Sequence, residues 1–310
     1  MARTDSVNVV VDLARVRENA LEIHRRVGVD LLAVVKADAY GLGAAQVAKA
    51  IGDVVAGFCV FSLAEAQAAD LWQAAKKPVL AFGPSDRIDA GEFSAAHVCP
   101  SVWTADQARR LRNTSPVLCV DTGMQRFACP PDQIESVLQA GECREAFTHA
   151  IRLEQAQALT ELLGHRGLRL HAAASGLLNE PSARLDAVRP GIALYRGAVR
   201  IAARLIEVHD GGRPAGYAGF VTPRFGIIQC GYSNGLRLGP CLVNGERQTI
   251  LEVGMQSAFV QIGAGDTVGD EVVLLGEGLS EAELANAWEA TEQQVLVNLT
   301  RAGVRSHRPA

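Results

Sequence analysis

The 310-residue chain contains no stretch of about 18 apolar residues free of charge, so nothing in it is built to cross a membrane as a helix. Its start, MARTDSVNVVVDL, lacks the apolar centre of a secretory signal, and the expectation is a cytoplasmic protein. Long runs of one charge are also missing. Thirty basic residues stand against 34 acidic ones, a formal charge of −4, which offers neither nucleic acid nor a membrane surface a partner. CxxC pairs and His/Cys clusters are absent as well. The seven cysteines are odd in number and irregular in spacing, and they read as reduced, apolar fillers with no metal site and no disulfide framework.

What the chain does have is a rhythm. From Leu31 onward eight short apolar runs recur: LLAVVKA (31–37), GFCVFS (57–62), PVLAFG (78–83), HVCPSVW (97–103), PVLCVD (116–121), EAFTHA (145–150), LRLHAAA (168–174) and AVRPGIALY (187–195). Between them lie segments such as LAEAQAADLWQAA and LEQAQALTELLGHRG, whose apolar residues return every three or four positions. Continuous apolar strands separated by helices predict a parallel sheet buried on both faces. Eight such units predict an α/β fold of the (β/α)8 TIM-barrel type over residues 8–200, with some helices abbreviated. Past about Arg200 the rhythm changes. GYAGFVTPRFGIIQCGYSNG, CLVNGERQTILEVGM and VGDEVVLLGEG read as strands with Gly and Asn-Gly turns, giving a β-rich domain over 201–310 to which residues 1–12 lend a strand.

Barrel enzymes carry their reacting groups at the carboxyl ends of the strands. Here those positions hold Lys36 with Tyr40 after the first run, Asp121, Thr122 and Arg126 after the fifth, His149 on the sixth, Ser175 after the seventh, and Arg189, Gly191 and Ile192 on the eighth. A lysine at such a place is costly as an ammonium, and a Schiff base with a carbonyl cofactor removes that cost. The plainer reading is a lysine snorkelling from the sheet rim. Plain alternatives stand beside the others too: a satisfied buried histidine at 149, a surface cation at 126, and a helix cap at 175.

The segment VVKADAYGLG resembles the cofactor-lysine motif of the PLP-dependent alanine racemase family, and CVFSLAEAQ, VDTGMQR, FTHA, HAAAS, RPGIALY, CGYSNG, CLVNGER, VGM, GDEVVLLGEG and VLVNLTRAGVR follow in that family's order. The resemblance covers roughly residues 8–305. It implies pyridoxal 5′-phosphate (PLP) as cofactor, an amino-acid substrate, and a head-to-tail homodimer with shared active sites. By the same resemblance Lys36 is the Schiff-base lysine and one acid/base, and Tyr232, entering from the other protomer, is the second. Tyr40, Ser175, Gly191 and Ile192 match the phosphate-binding group, with Gln293 standing where a tyrosine usually does. Arg189 matches the arginine at the pyridine nitrogen, and His149 the histidine linking it to the second base. Arg126 and Met255 match residues near the substrate carboxylate. A racemase with two bases needs groups on opposite faces of a planar intermediate, and the pair Lys36 and Tyr232 supplies them.

The departures are specific. Cys119 occupies the place of a carbamylated lysine, Gln256 and Asn234 replace aspartates, Ala174 replaces an asparagine, and the loop after Tyr232 is shortened to GLRLGPCLVNGE. The sequence thus predicts a PLP-dependent isomerase, a racemase for alanine or a larger amino acid. Elimination or decarboxylation at an amino acid on the same fold is the alternative, and a PLP carrier without turnover is a third class.

Overall fold

A computed structural model describes residues 4–84 and 89–310. The described residues divide into two compact units, one made of residues 16–39, 43–84 and 89–194, the other of 4–15, 40–42 and 195–310. The amino-terminal strand β1 (Thr4–Asp12) belongs to the second unit.

The first unit is a closed parallel barrel. Its strands are β2 (Asp30–Val34), β3 (Gly57–Val60), β4 (Val79–Ala81), β5 (Val98–Val102), β6 (Val117–Cys119), β7 (Glu145–Ala150), β8 (Arg169–Ala174) and β9 (Ala187–Arg189), each beside the next, with β9 returning to β2 through Asp30↔Ala187 and Leu31↔Val188. Each strand coincides with one of the eight apolar runs. Their residues are buried on both faces, which is why the runs are continuous and do not alternate. The connecting helices are short, as the tight sequence spacing requires: Leu63–Ala68, Leu71–Ala75, Ala90–Ala95 and Ala105–Leu111 run five to seven residues, and only single 3-10 turns follow β8. Side-chain caps start several of them. Ser62 accepts from Glu65 N and Thr104 from Gln107 N, so the break between strand and helix is written locally.

The second unit is a mostly antiparallel sheet. Its further strands are β10 (Val199–Asp210), β11 (Arg224–Ile228), β12 (Gly239–Val243), β13 (Glu246–Val253), β14 (Ala258–Gln261), β15 (Glu271–Leu275) and β16 (Gly303–Arg308), in the order β11-β14-β13-β12-β15-β10-β1-β16. The long β10 also pairs with β11, so six of these strands close on themselves. Strand β1 runs antiparallel to β10 and parallel to β16, with Val7, Val9 and Val11 buried along one face. The hairpin between β12 and β13 turns on Asn244 and Gly245, both at positive φ, the backbone that an Asn-Gly pair adopts at least cost. One expectation fails in detail. Residues 211–223 form turns with an isolated bridge Ala215↔Phe220, and the strand begins only at Arg224. Tyr217 there is almost fully exposed, so no buried face organises a strand.

Candidate active site

The end of β2 delivers Lys36 into an unusual backbone. Ala37, Asp38, Ala39 and Tyr40 all lie in the left-handed region, with φ between 53 and 58°. Such a conformation costs an L-residue roughly 1–2 kcal/mol, so four in succession require compensation. Ala39 N donates to Val35 O (2.8 Å), Gly43 N to Asp38 O (2.8 Å), Ala44 N to Asp38 Oδ1 (2.8 Å) and Ala37 N to Glu65 Oε1 (3.3 Å). The second Glu65 oxygen accepts from Phe61 N at 2.9 Å. Lys36 is half-buried, and burial together with the Arg126 guanidinium holds its amine below the usual lysine range, Glu65 and Cys59 pulling the other way.

Arg189, at the end of β9, is 3% exposed. Its guanidinium donates to the carbonyls of His171 (2.9 Å), Ala172 (3.1 Å) and Thr148, and to Nδ1 of His171. It lies over the rings of Phe147 (4.9 Å) and Phe82 (5.9 Å), and His171 stacks on Phe147. His171 is fully buried. Burial, then Arg189, lowers it to about 4, with Glu145 opposing, so it is neutral at pH 7. His149 is likewise lowered to about 4, by burial and by Arg189, Arg126 and Lys36. All three cations disfavour the charged form of His149, and Lys36, His149 and Arg189 lie at or just past the carboxyl ends of β2, β7 and β9. The direct hydrogen-bond partner of Arg189 is His171 rather than His149. Sequence reading missed that role, although His171 lies inside the HAAAS run.

Arg126 follows an Asx turn in which Asp121 Oδ1 accepts from Gly123 N (2.8 Å) and Gln125 N (3.0 Å), and it is exposed. Cys119, at the end of β6, is buried, which pushes its thiol up to about 12, so it is an uncharged neighbour for Arg126 and Arg189. Ser175 does not cap its own turn. Its Oγ accepts from Gly191 N (2.9 Å) and Ala193 N (3.3 Å), which joins the end of β8 to the segment entering the helical turn Ile192–Tyr195. Ile192 is buried within that turn.

The remaining residues singled out belong to the second unit. Tyr40 is buried and lies against Tyr195, ring centroids 5.1 Å apart, with its carbonyl accepting from Thr300 Oγ1 at 3.3 Å. Tyr232 and Met255 come together from two loops: Tyr232 N donates to Gly254 O (2.9 Å) and Ser233 N to Met255 O (3.0 Å). Their side chains are 57% and 61% exposed, a paired apolar presentation to the outside. Asn234 supports the turn by accepting from Gly231 N at 3.1 Å. Gln293 is exposed on the helix Glu292–Leu299. Among the described residues no group of three or more His, Cys, Asp and Glu side chains is placed to hold a metal ion, and no helix is long and apolar enough to cross a membrane.

A parallel barrel with a lysine, two arginines and a neutral histidine at or past the carboxyl ends of its strands, and a second neutral histidine inside β8, defines a class of barrel enzyme built around an activated amine. The chain belongs to the alanine racemase family: the family's N-terminal domain model matches residues 11–199 and its C-terminal domain model residues 199–307. A biosynthetic alanine racemase of Escherichia coli O6:H1 is 30% identical, over 87% of this chain and 90% of that protein. The crystal structure of the biosynthetic alanine racemase of Pseudomonas aeruginosa superposes with a TM-score of 0.87 at 25% identity, covering 98% of this chain and 100% of that one. An alanine racemase of Bartonella henselae, solved with covalently bound pyridoxal phosphate, matches with a TM-score of 0.86 at 22% identity, covering 98% of this chain and 100% of that one, and shares the fold.

Proposed function

We propose that this chain is a PLP-dependent amino-acid racemase, acting on alanine or a larger amino acid as a cytoplasmic homodimer, with residues 8–200 as the cofactor-binding domain. The observation that carries the reading is a half-buried lysine just past the end of β2, its amine held below its ordinary range, with the buried Arg189 at the end of the neighbouring strand β9. The side chains fit the cofactor. Lys36 offers an amine that is partly neutral at lower pH than a solvated lysine, and Ser175 Oγ gathers the amides of Gly191 and Ala193 beside Ile192, donors that would turn from the hydroxyl to a phosphate. Tyr40 and Gln293 keep the cofactor-binding roles that the resemblance assigns them.

When bound, PLP supplies a conjugated ring that acidifies the α-carbon of an amino acid. The chain's own groups do the rest. Lys36 Nζ takes and returns the proton on one face, and the Tyr232 hydroxyl of the partner protomer serves the other. Arg189 cannot give up a proton and spends its Nη hydrogens on His171, Ala172 and Thr148, so its Nε–H would be the donor toward the ring nitrogen and would keep the electron sink moderate, which favours return of the proton over transfer chemistry. His149 stays neutral beside it, and Arg126 with Met255 orients the substrate carboxylate.

The test is incubation of the PLP-loaded protein with single L- and D-amino acids in D2O, following α-deuteration and chirality. Exchange with inversion on alanine or a larger amino acid is the expected result. Ammonia, carbon dioxide or a keto acid without inversion would assign the chain to elimination or decarboxylation, and no reaction with any of the common amino acids would refute an enzymatic role.

A further inference from the structure

The carboxylate of Glu145 is not used by the chemistry above, yet it stands at the other end of a contact that reaches the site. Glu145 opens β7 at the amino-terminal end of the barrel, on the wall of a cavity of about 330 Å3 that Phe58, Leu80, Cys99 and Arg169 also line. Its Oε1 lies 2.9 Å from Nε2 of the fully buried His171. The same oxygen accepts from Arg169 Nη1 at 3.1 Å, and Arg169 Nη2 is fixed by Asp30 at 2.8 Å. On its far side His171 meets Arg189 through Nδ1.

We propose that Glu145 is a positioning residue: by keeping the His171 proton on Nε2 it leaves Nδ1 free to accept from Arg189, and so fixes the guanidinium at the end of β9. The argument is one of donors and acceptors. A guanidinium has five N–H groups and no acceptor, so the ring nitrogen that meets it must present a lone pair. The neutral imidazole then carries its proton on Nε2. That nitrogen is sealed from solvent, and among the described residues no other group accepts from it. Glu145 Oε1 stands 2.9 Å from it outside hydrogen-bond geometry, so the carboxylate favours the proton there through its charge. Were the proton on Nδ1, two donors would face each other at Arg189 and a lone pair would face a carboxylate. Arg169, tied to Asp30, keeps the carboxylate from swinging into the cavity. The catalytic consequence rests on the racemase reading, in which Arg189 faces the cofactor ring.

The experiment is 15N NMR of histidine-labelled holoenzyme, with the His171 signals assigned by their loss in His171→Gln. The wild-type protein should show the Nε2–H tautomer alone, Glu145→Leu a mixture with the Nδ1–H form because only Arg189 then favours the first, and Glu145→Gln, which keeps an oxygen without its charge, a smaller admixture. Racemisation by Glu145→Leu should fall about 10- to 100-fold in kcat, the scale known for outer partners of metal-bound histidines, with KM within about 3-fold and the cofactor still bound. An Nδ1–H tautomer in the wild-type protein overturns the proposal without any variant. So does Glu145→Leu if it keeps the wild-type tautomer, whether its activity survives or not. The tautomer is read without turnover, so a wild-type protein that fails to racemise would refute the enzymatic reading and leave this measurement standing.

Discussion

Glu65 binds the residue that follows Lys36 to the end of the neighbouring strand: Oε1 accepts from Ala37 N at 3.3 Å and Oε2 from Phe61 N at 2.9 Å. Glu65 also receives the Ser62 cap on its own N–H, so one short S-x-x-E segment starts a helix and braces the lysine turn. Glu65→Ala should lower stability by about 1–3 kcal/mol, since two amides lose a charged acceptor. It should also drop the Lys36 amine further, because the carboxylate favours the ammonium. Urea unfolding and the pH dependence of Lys36 modification by a carbonyl reagent check the two effects separately.

Ala37 makes the backbone strain measurable. Its side chain is exposed and its φ is 53°, so replacing it costs no packing. In a right-handed helix Ala→Gly destabilises by about 1 kcal/mol. Here the left-handed penalty of roughly 1–2 kcal/mol is removed while glycine adds its own entropic cost of about 0.5–1 kcal/mol. Ala37→Gly should therefore leave stability unchanged or raise it by up to about 1.5 kcal/mol, and a clear loss in chemical denaturation would contradict the left-handed turn.

That turn also marks where the sequence stops being legible. The eight barrel strands are readable because burial on both faces demands uninterrupted apolar residues, and the Asn244-Gly245 hairpin because few other pairs tolerate two positive φ values. Nothing in KADAY announces four left-handed residues, since Ala has no side chain to favour them and one of the tethers comes from Glu65, 28 positions away. His171 and Glu145 were hidden for a related reason. Their significance lies in contacts between neighbouring strands, which spacing along one strand does not reveal. The motif residues Lys36, Arg126, His149 and Arg189 could be proposed as a set because a barrel puts strand ends in one ring.

The two lowered histidines set an acid limit on the fold. His149 and His171 titrate near 6.5 when unfolded and at about 4 when folded, so between those values the unfolded chain binds more protons and stability falls as pH falls. The loss begins below about pH 6.5 and is complete below about 4. For His171, fully buried, it amounts to about 3 kcal/mol at 1.36 kcal/mol per unit. Urea midpoints measured from pH 7 to 4 should decline steeply, and His171→Gln should flatten part of that slope while being less stable at pH 7.

Gly231 and Tyr232 separate the framework of the second loop site from its chemistry. A Cβ on Gly231 would sit 2.4 Å from the carbonyl oxygens of both Gly254 and Met255, and these are rigid backbone atoms. Gly231→Ala must therefore push apart the loops whose Tyr232 N to Gly254 O and Ser233 N to Met255 O bonds align Tyr232 with Met255. Stability should fall by about 1–3 kcal/mol, the range for forced overpacking. Tyr232→Phe removes only an oxygen from a side chain that is 57% exposed, so its unfolding midpoint should match the parent within about 0.5 kcal/mol. Under the two-base reading the same variant should lose exchange at one face of the substrate: α-deuteration would start from one enantiomer and be strongly slowed from the other. Equal slowing of both directions with an unchanged isotope pattern would remove Tyr232 from the proton path and leave it as a docking residue.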